Sequence, residues 1–596
     1  MAKIYWLCIW LLLCLQFGCN TKANLLDRPN VILILTDDQG IGDLACHGNP
    51  WIKTPNIDRL YEESIRLTDF HVSPLCTPSR AAIITGQYPI NNGTWATYKG
   101  RDQLPKGSNS MARIFLENGY RTAMFGKWHL GDNYPSRPTD CGFELAVQHR
   151  AGGVGELSDY WGNSYFDDVY FVNNQPQQFE GYCTDIWFDE AMKFMAQTKD
   201  DPFFVYLPTN APHDPLIVAE SYAAPYRSLE GKQIVSADLY GMIANIDENV
   251  GRLERFLQEK GLAENTILIY MSDNGTRFGY RAVDELGFNM GFAGIKGDKR
   301  EGGHRVPFFI RWPKGMPDSG KDIDVLAAHV DILQTLAGLC VIKLADSVPL
   351  DGLDLSGVLT KEAELADRCV FVHHRQDWRP PRDVQRSCIM KNKWRLLDGQ
   401  RLYDVSGDRK QKHNLAADYP ELVQTLLAEN ASFAARAKQN RTYYELPVSV
   451  VGNVAQLESF LGIQHAIGED KGIWKCEQVA AGVKNTNNTH ALLVEKAGWY
   501  EIECRRWPKE CPGPLWGIPA KNPKRQFVYQ KIRPEKLVIR IGNQILEQAV
   551  GGDDESVRLK VYLEEGYTLL ENDFVEGEET YGVYYTYIRK LADETD

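Results

Sequence analysis

The chain has 596 residues, of which 43% are hydrophobic and 24% charged, so it can bury large cores and is not a disordered protein. Its 79 acidic residues outnumber its 66 basic ones, giving a net charge of −13. This charge excludes non-specific binding to nucleic acid or to an anionic membrane, which needs a positive field. An anionic substrate would therefore need a local cationic pocket.

The first 19 residues have the pattern of an export signal. Lys3 precedes an apolar run over residues 4–17, which has the length of a signal-peptide core and is too short to span a bilayer comfortably. Glycine just before Cys19 resembles a bacterial lipoprotein cleavage site, with Cys19 as the lipidated residue. We expect an exported protein, either periplasmic or anchored at the outer membrane by a lipid, which would be its sole membrane contact. Ordinary secretion is the alternative.

Three continuous apolar runs, at 30–36, 203–207 and 266–271, predict strands that are buried on both faces. Between the last two, residues 237–260 carry apolar side chains at helical spacing. Buried strands that alternate with helices predict an α/β fold with a large, mainly parallel sheet flanked by helices. We place this domain at residues 28–365.

Each of these three strands runs directly into polar residues. The first is followed by Asp37 and Asp38, the second by the segment 210–213, and the third by Asp273 and Asn274. Open α/β sheets bind ligands at the carboxyl ends of their strands, so these clusters predict a single site. Carboxylate and amide oxygens favour a hard divalent cation such as Ca²⁺, and their spacing does not distinguish it from Mg²⁺.

Cys76 precedes Thr77 and Pro78 at the expected start of a helix. A helix N-terminus lowers the pKa of a thiol and attracts anions. On the residues alone, Cys76 is either a nucleophile or a structural thiol.

The sequence changes in character twice after residue 365. Strand-like pieces at 369–373, 388–397 and 401–405, followed by a helix near 419–438, predict a smaller antiparallel α+β subdomain over residues 366–445. Residues 450–596 predict an all-β, sandwich-like accessory module. Its expected strands are 474–479, 490–495, 498–505, 536–541, 556–563, 566–573 and 582–588. Its aromatic residues fit carbohydrate binding or, as we prefer, its own core and its interface with the rest of the chain.

Ordered blocks of sequence between about residues 28 and 435 resemble the formylglycine-dependent sulfatases (type I, arylsulfatase-like, alkaline phosphatase superfamily), and among these the bacterial polysaccharide sulfatases. Cys76, Pro78, Ser79 and Arg80 match the first signature of that family. The matching blocks are residues 37–38, 76–86, 119–129, 212–213, 272–275 and 294–307. One departure is Asn210, where many relatives carry histidine.

The resemblance implies that Cys76 is oxidised to Cα-formylglycine by a formylglycine-generating enzyme or an anaerobic sulfatase-maturing enzyme. One hydroxyl of the hydrated aldehyde would attack the sulfur of a sulfate ester, and the sugar or aryl alkoxide would leave. The second hydroxyl would then lose its proton and expel sulfate, which regenerates the aldehyde. Asp273 would accept the proton of the attacking hydroxyl. The resemblance also implies one bound Ca²⁺, for which Mg²⁺ is not excluded, held by Asp37, Asp38, Cys76, Asp273 and Asn274.

The resemblance assigns roles to five further residues. Arg80 and Lys127 would stabilise the formylglycine, and His129 would help remove the proton of its second hydroxyl. Lys296 and His213 would hold the sulfate near the leaving oxygen. His213 is our choice for the general acid, because an alkyl alkoxide is a poor leaving group at neutral pH.

The expected substrate is a sulfated oligo- or polysaccharide, because aromatic rings stack on sugars and arginines bind anions. The resemblance to polysaccharide sulfatases implies sulfate on galactose or N-acetylgalactosamine. The residues expected to contact it are Tyr98, Arg101, Arg150, Trp161, Trp378 and Arg379. One alternative is a phosphate or phosphonate ester hydrolase with the same formylglycine site. Another is a catalytically inactive carbohydrate-binding protein.

Overall fold

The computed structural model describes residues 28–198, 201–361, 363–381, 387–519 and 527–592. The expected export signal, with Lys3 and Cys19, lies outside these described residues. Among the described helices, none combines the length and apolar character that a bilayer crossing requires.

The first twelve strands belong to the α/β part of the chain. In chain order they are β1 (Asn30–Thr36), β2 (Ile65–His71), β3 (Arg121–Lys127), β4 (Leu145–His149), β5 (Val169–Val172), β6 (Gln175–Gln178), β7 (Phe203–Pro208), β8 (Thr266–Ser272), β9 (Tyr280–Arg281), β10 (Leu286–Gly287), β11 (Phe308–Arg311) and β12 (Asp322–Ala328). β9 and β10 form a short hairpin, and the other ten form one sheet in the order β12-β2-β11-β8-β1-β7-β3-β4-β5-β6. The predicted α/β fold class is confirmed.

The three strands expected from the apolar runs lie side by side at the centre of this sheet. β1 pairs in parallel with β7 on one side and with β8 on the other, and every residue of β7 and β8 is buried. Both strands extend one residue beyond the prediction. Because the carboxyl ends of parallel strands meet at one edge, the polar residues that follow them are brought together.

Helices cover both faces of the sheet. They are α1 (Pro55–Glu62), α2 (Cys76–Thr85), α3 (Pro89–Asn92), α4 (Met111–Glu117), α5 (Cys183–Gln197), α6 (Glu220–Ala223), α7 (Ala237–Glu259), α8 (Glu301–His304), α9 (Ile332–Leu339) and α10 (Ser356–Lys361). Alternate residues of β1 enter different cores: Val31 and Leu33 pack on one face, whereas Ile32 and Ile34 pack on the other. A strand covered on both faces needs apolar residues at every position, which explains the unbroken run in the sequence.

A four-stranded antiparallel sheet follows. Its elements are β13 (Val370–His373), β14 (Ser387–Lys391), β15 (Trp394–Leu397), β16 (Arg401–Asp404), α11 (Pro420–Ala437) and α12 (Arg441–Tyr444). The piece expected as one strand over 388–397 is a hairpin of β14 and β15. Its turn contains Asn392 at a φ of 48°, a left-handed conformation that asparagine tolerates better than most residues.

The C-terminal module consists of two sheets that share one core. Its elements are β17 (Ser449–Val451), β18 (Glu458–Gly462), α13 (Cys476–Ala480), β19 (Thr489–Val494), β20 (Gly498–Arg505), β21 (Lys536–Ile541), β22 (Gln544–Ala549), β23 (Val557–Leu563), β24 (Gly566–Glu576), β25 (Glu579–Gly582) and β26 (Tyr585–Lys590). The expectation of a strand over 474–479 is wrong. Most of that segment is the short helix α13, which buries Cys476 and Val479 against the core.

The module packs directly on the α/β domain. Leu157 and Trp161, from a loop of the α/β domain, are part of the apolar core of the module. The buried His465 of the module forms ion pairs with two carboxylates of the α/β domain: Nδ1 lies 2.9 Å from Asp102 Oδ2, and Nε2 lies 3.5 Å from Asp132 Oδ2. The interface is therefore both apolar and charged.

We expect the ion pairs of His465 to stabilise this interface in a pH-dependent way. Although burial opposes the charged ring, the carboxylates of Asp102 and Asp132 raise the pKa of His465 to about 10 from its ordinary value of 6.5. Because the folded pKa is the higher one, the stabilisation is complete below about pH 6.5 and is lost as the pH rises towards 10. His465→Gln should therefore lower the free energy of unfolding by about 3–5 kcal/mol at pH 6 and by much less at pH 10.

Urea unfolding of the full chain at the two pH values measures this difference. His413→Gln is the control, because the side chain of His413 is 81% exposed. An equal loss at both pH values would show that the histidine stabilises the interface by packing rather than by charge.

Candidate active site

The polar residues that follow β1 and β8 form one buried cluster. Asp37, Asp38, Asp273 and Asn274 are all at most 1% exposed. The backbone N–H of Asp38 donates to Asp273 Oδ1 at 3.2 Å, and Asn274 Nδ2 donates to Asp38 Oδ1 at 2.8 Å. The backbone N–H of Asp37 donates to the carbonyl of Ala211 at 3.1 Å, which brings the segment after β7 to the same place. The three strand ends thus form the single site that the sequence predicted.

Cys76 is the first residue of α2 and is buried beside these carboxylates. Its Sγ and one carboxylate oxygen each of Asp37 and Asp273 lie within 4.8 Å of one another. Burial raises the pKa of the Cys76 thiol, so the unmodified side chain is protonated at neutral pH.

Each of the three carboxylates has its own cation. Arg80 Nη2 lies 2.7 Å from Asp273 Oδ2, Lys127 Nζ lies 2.6 Å from Asp37 Oδ2, and Lys296 Nζ lies 2.6 Å from Asp38 Oδ1. These cations come from α2, the end of β3 and the loop before α8. The three negative and three positive side chains cancel one another in charge.

The environments of two of the carboxylates differ. Burial, followed by repulsion from Asp37, raises the pKa of Asp273 to about 6. Burial also opposes the charged form of Asp38, but Lys296 and His213 outweigh it and hold the pKa of Asp38 well below its ordinary range. Asp38 is therefore a full negative charge at neutral pH.

Three oxygen atoms of the cluster fit a metal ion. Asp37 Oδ1, Asp38 Oδ2 and Asn274 Oδ1 are buried and have no hydrogen-bond partner among the described residues. Buried oxygens without a donor are uncommon in native proteins because they lose their contacts with water. Carboxylate and amide oxygens together match the ligand preference of Ca²⁺ or Mg²⁺. The residues present therefore fit a hard divalent cation.

A cavity of about 360 Å³ opens on this cluster, and Cys76 and Lys296 form part of its lining. Two histidines also line it. His213 Nδ1 lies 2.6 Å from the carbonyl oxygen of Asp214 and donates to it, which leaves Nε2 facing Asp38 Oδ2 at 3.8 Å. His129 Nε2 lies 3.2 Å from the carbonyl oxygen of Thr97, and its Nδ1 has no partner among the described residues. Burial lowers the pKa of both histidines.

Of the residues expected to contact substrate, Tyr98 lines this cavity. Trp378 lines a different cavity, together with Arg101. Arg379 forms ion pairs with Asp377 and Glu469. Trp378 and Arg379 thus lie outside the lining of the cavity at Cys76, whereas the neighbouring Gln376 is part of it.

Arg101, Arg150 and Trp161 also lie outside the lining of this cavity, and each makes packing contacts. The Arg101 guanidinium lies 3.9 Å from the ring centroid of Trp95 and donates to backbone carbonyls. The Arg150 guanidinium lies 4.0 Å from the ring centroid of Phe171. The Trp161 ring contacts Trp507 in the core of the module, with centroids 5.5 Å apart. Sequence alone showed that these residues lie in loops, but not which surface each loop covers.

Several residues of the cavity were not predicted from the sequence. They are Thr97, Glu156, Asp214, Arg277, Gln376, Gln464, Trp474 and Lys475. Glu156 is partly buried, and its removal from water raises its pKa. A Cβ on Gly152 would lie 2.6 Å from His129 Cε1 and 2.9 Å from Glu156 Oε2, so glycine is needed between these two side chains. These residues come from separate loops of the whole chain, and no local pattern joins them.

Comparison with known proteins places this site in a family. The family model described as Sulfatase matches residues 29–342, more than half of the chain. The N-acetylgalactosamine-6-sulfatase of Mus musculus is 30% identical over 370 residues, covering 58% of this chain and 68% of that protein. The arylsulfatase of Hemicentrotus pulcherrimus is 31% identical over 390 residues, covering 61% and 68%. The crystal structure of Ps i-CgsB in complex with k-i-k-neocarrahexaose is 26% identical and superposes with a TM-score of 0.62, covering 70% of this chain and 95% of that one.

Proposed function

Because the chain belongs to the sulfatase family, we propose that it removes sulfate from a sulfated carbohydrate, using a formylglycine formed at Cys76 and a bound Ca²⁺. Its class, a sulfuric ester hydrolase with the type I, alkaline phosphatase-like fold, follows from the family and the architecture. The observation that carries the proposal is the meeting of Cys76 with three carboxylates and three cations beside one cavity. Each position to which the family resemblance assigns a catalytic role holds the expected residue, which argues against an inactive carbohydrate-binding protein.

Asp37, Asp38, Asp273 and Asn274 would hold the ion, together with residue 76 after maturation. When bound, the ion supplies positive charge that stabilises anionic oxygens of the nucleophile and of the sulfate group. The protein charges of the cluster already cancel, so a divalent ion makes the site positive. That local field is what an anionic substrate requires in a chain with a net charge of −13.

The side chains around Cys76 would stabilise the nucleophile, bind the sulfate group and transfer protons. Arg80 and Lys127 flank the nucleophile and are fixed by Asp273 and Asp37. Lys296 lines the cavity and is placed to hold a sulfate oxygen. His213 is oriented by its bond to the carbonyl of Asp214, and Nε2 gives a proton to the leaving oxygen when the ring is the imidazolium. Burial disfavours this charged form, and the carboxylate of Asp38 favours it. His129, on the other wall, would accept the proton that must leave when sulfate is expelled.

Sulfated galactose or N-acetylgalactosamine is the substrate that we propose. Two relatives of this chain support this choice: one is an N-acetylgalactosamine-6-sulfatase, and the other has a crystal structure in complex with k-i-k-neocarrahexaose. The aromatic ring of Tyr98 on the cavity wall is suited to a sugar face. A cavity, as opposed to an open groove, favours removal of sulfate from chain ends.

We propose export and maturation as parts of the same function. The apolar run after Lys3 supports export, and the glycine before Cys19 supports a lipid anchor at the periplasmic side of a membrane or at the outer membrane. Mass analysis of the mature N-terminus separates these outcomes, because secretion without an anchor leaves no lipid on Cys19. The partner for maturation would be a formylglycine-generating or anaerobic sulfatase-maturing enzyme.

His213→Ala is expected to lower kcat for a sulfated sugar by about 10²–10⁴-fold. The loss should be much smaller for nitrophenyl sulfate, whose leaving group needs no proton. Steady-state kinetics on the two esters measure this contrast, and His413→Ala, at an exposed histidine, is the control. An equal loss on both esters would contradict the role of His213 as general acid.

Matched sulfate and phosphate esters of the same sugar test the reaction class. The proposal predicts faster release of sulfate than of phosphate, because phosphate monoesters carry more charge and need more cationic stabilisation. Preference for the phosphate or phosphonate ester would contradict it. Brisk turnover of nitrophenyl sulfate with little action on sugars would instead contradict the carbohydrate substrate.

A further inference from the structure

The C-terminal module contributes to the cavity that contains Cys76. Gln464, Trp474 and Lys475, all from the module, line the same cavity as His213 and Lys296. We call these three residues the module wall of the cavity; residues of the α/β domain, among them Cys76, His129 and His213, form other parts of the lining. The module is therefore not a separate attachment to the catalytic domain, and the substrate-binding surface includes both.

The backbone of this wall is fixed against the α/β domain. The N–H of Leu157 donates to the carbonyl of Trp474 at 3.0 Å, and Glu156 forms an isolated antiparallel bridge with Lys475. A Cβ on Gly472 would lie 2.5 Å from Cε2 of Tyr98, so the module backbone packs closely on the Tyr98 ring. These contacts hold the wall in one position relative to the catalytic residues.

Two aromatic rings at this wall provide a surface for a sugar. Tyr98 and Trp474 have ring centroids 5.5 Å apart at an interplanar angle of 44°. Trp474 is 37% exposed although it is a large apolar side chain. An aromatic face that lines a polar cavity and stays partly exposed is suited to stacking on a pyranose ring.

Two cations lie beside the aromatic pair. Lys475 Nζ lies 3.6 Å from Asp214 Oδ2, and Arg277 Nε lies 3.6 Å from Asp214 Oδ1. The Lys475 side chain is 40% exposed and that of Arg277 is 48% exposed. Asp214 faces both cations, and Glu156 is a second carboxylate that interacts with Lys475. Burial raises the pKa of Glu156 and so favours its neutral form, which leaves the two cations able to accept an anion. They are separate from Lys296, which is paired with Asp38 at the metal cluster.

We propose that the module, together with Arg277 of the α/β domain, forms a second subsite, which we call the module subsite and define by Trp474, Lys475 and Arg277. Trp474 stacks on the sugar next to the one that carries the scissile ester, and the two cations bind an anionic group on that neighbouring sugar. The anion is a second sulfate or a carboxylate, which share the same chemistry here. This inference rests on the proposed function for the ester that is cleaved, and it narrows the substrate to a polyanionic oligosaccharide.

The test compares two substrates with the matured full-length enzyme in the presence of Ca²⁺. One is a singly sulfated monosaccharide, and the other is a disaccharide whose second sugar carries an additional anionic group. The quantity measured is kcat/KM for the disaccharide divided by kcat/KM for the monosaccharide. Lys475→Met and Arg277→Met should each lower this ratio about tenfold. Trp474→Ala should lower this ratio by a similar factor. Disaccharides with sulfate or carboxylate on the second sugar show which anion is preferred.

Lys484→Met and Trp499→Ala are the matched controls, because both residues are on the module but outside the lining of the cavity. Trp499 is 54% exposed, and Lys484 pairs with Glu579. If the wild type releases sulfate and the three subsite variants keep the wild-type ratio, the module subsite is refuted.

A binding experiment separates this inference from the proposed function. Calorimetry with Cys76→Ala protein measures binding of the doubly anionic disaccharide without any turnover. If the matured enzyme released no sulfate from any sugar, the proposed function would fail. Weaker binding by Lys475→Met and Trp474→Ala, but not by the controls, would still support the subsite. Equal binding by all variants would overturn it.

Discussion

Replacing Cys76 with alanine is expected to lower kcat/KM for sulfate release by at least about 10⁴-fold. Cys76 is the first residue of α2, at the base of the cavity and beside Asp37 and Asp273. Alanine cannot be matured, so it removes the nucleophile and leaves the surrounding charges in place. The remaining rate would come from substrate binding and electrostatics alone.

The control for this variant is Cys369→Ala. Cys369 is another free cysteine, half-buried near the start of β13 and outside the lining of the cavity. It should keep wild-type kinetics. Circular dichroism and thermal unfolding establish that Cys76→Ala protein is folded. Full activity of that protein would contradict the mechanism itself, whatever the substrate.

Removal of the metal is expected to have the second-largest effect. Asp38→Asn should weaken Ca²⁺ binding at least about 100-fold and lower kcat by about 10³-fold. The change keeps the volume of the side chain but removes a negative charge. The three buried cations would then outnumber the two remaining carboxylates, and Lys296 would lose its partner at 2.6 Å.

Calorimetric titration of Ca²⁺ into Cys76→Ala protein measures the affinity independently of turnover. Chelator should abolish wild-type activity, and added Ca²⁺ should restore it. Asp185→Asn is the control, because Asp185 accepts hydrogen bonds from Asn245 and Asn249 away from the cavity. Unchanged Ca²⁺ affinity in the Asp38→Asn protein would show that the ion is held elsewhere or not at all. Recovery with Mg²⁺ but not with Ca²⁺ would correct the identity of the ion.

The centre of the fold could be predicted because its signals are local. A strand covered on both faces needs apolar residues along its interior, and β1, β7 and β8 satisfy this requirement between their first and last residues. Parallel pairing then brings their carboxyl ends to one edge. For this reason, the meeting of Asp37, Asp38 and Asp273 followed from two separate strand predictions.

The outer part of the cavity could not be predicted because its residues meet only in the folded chain. Trp161 is of a residue type that often stacks on sugars, but its loop places the ring in the core of the module. Trp474 was expected within a strand of the module, whereas it lies just before α13 on the cavity wall. Alternation along a strand shows which residues share a face. It does not show which face another domain will cover.

The most direct test of the central claim is sulfate release from a panel of singly sulfated mono- and oligosaccharides. The protein must have formylglycine at Cys76, as shown by the mass of its peptide, and Ca²⁺ must be present. The account predicts release from a sugar sulfated at one position, with galactose and N-acetylgalactosamine sulfates as the first choices. Release only from longer oligosaccharides would keep the enzyme class and place the specificity in the outer subsites. No release from any sugar by fully matured protein would contradict the account.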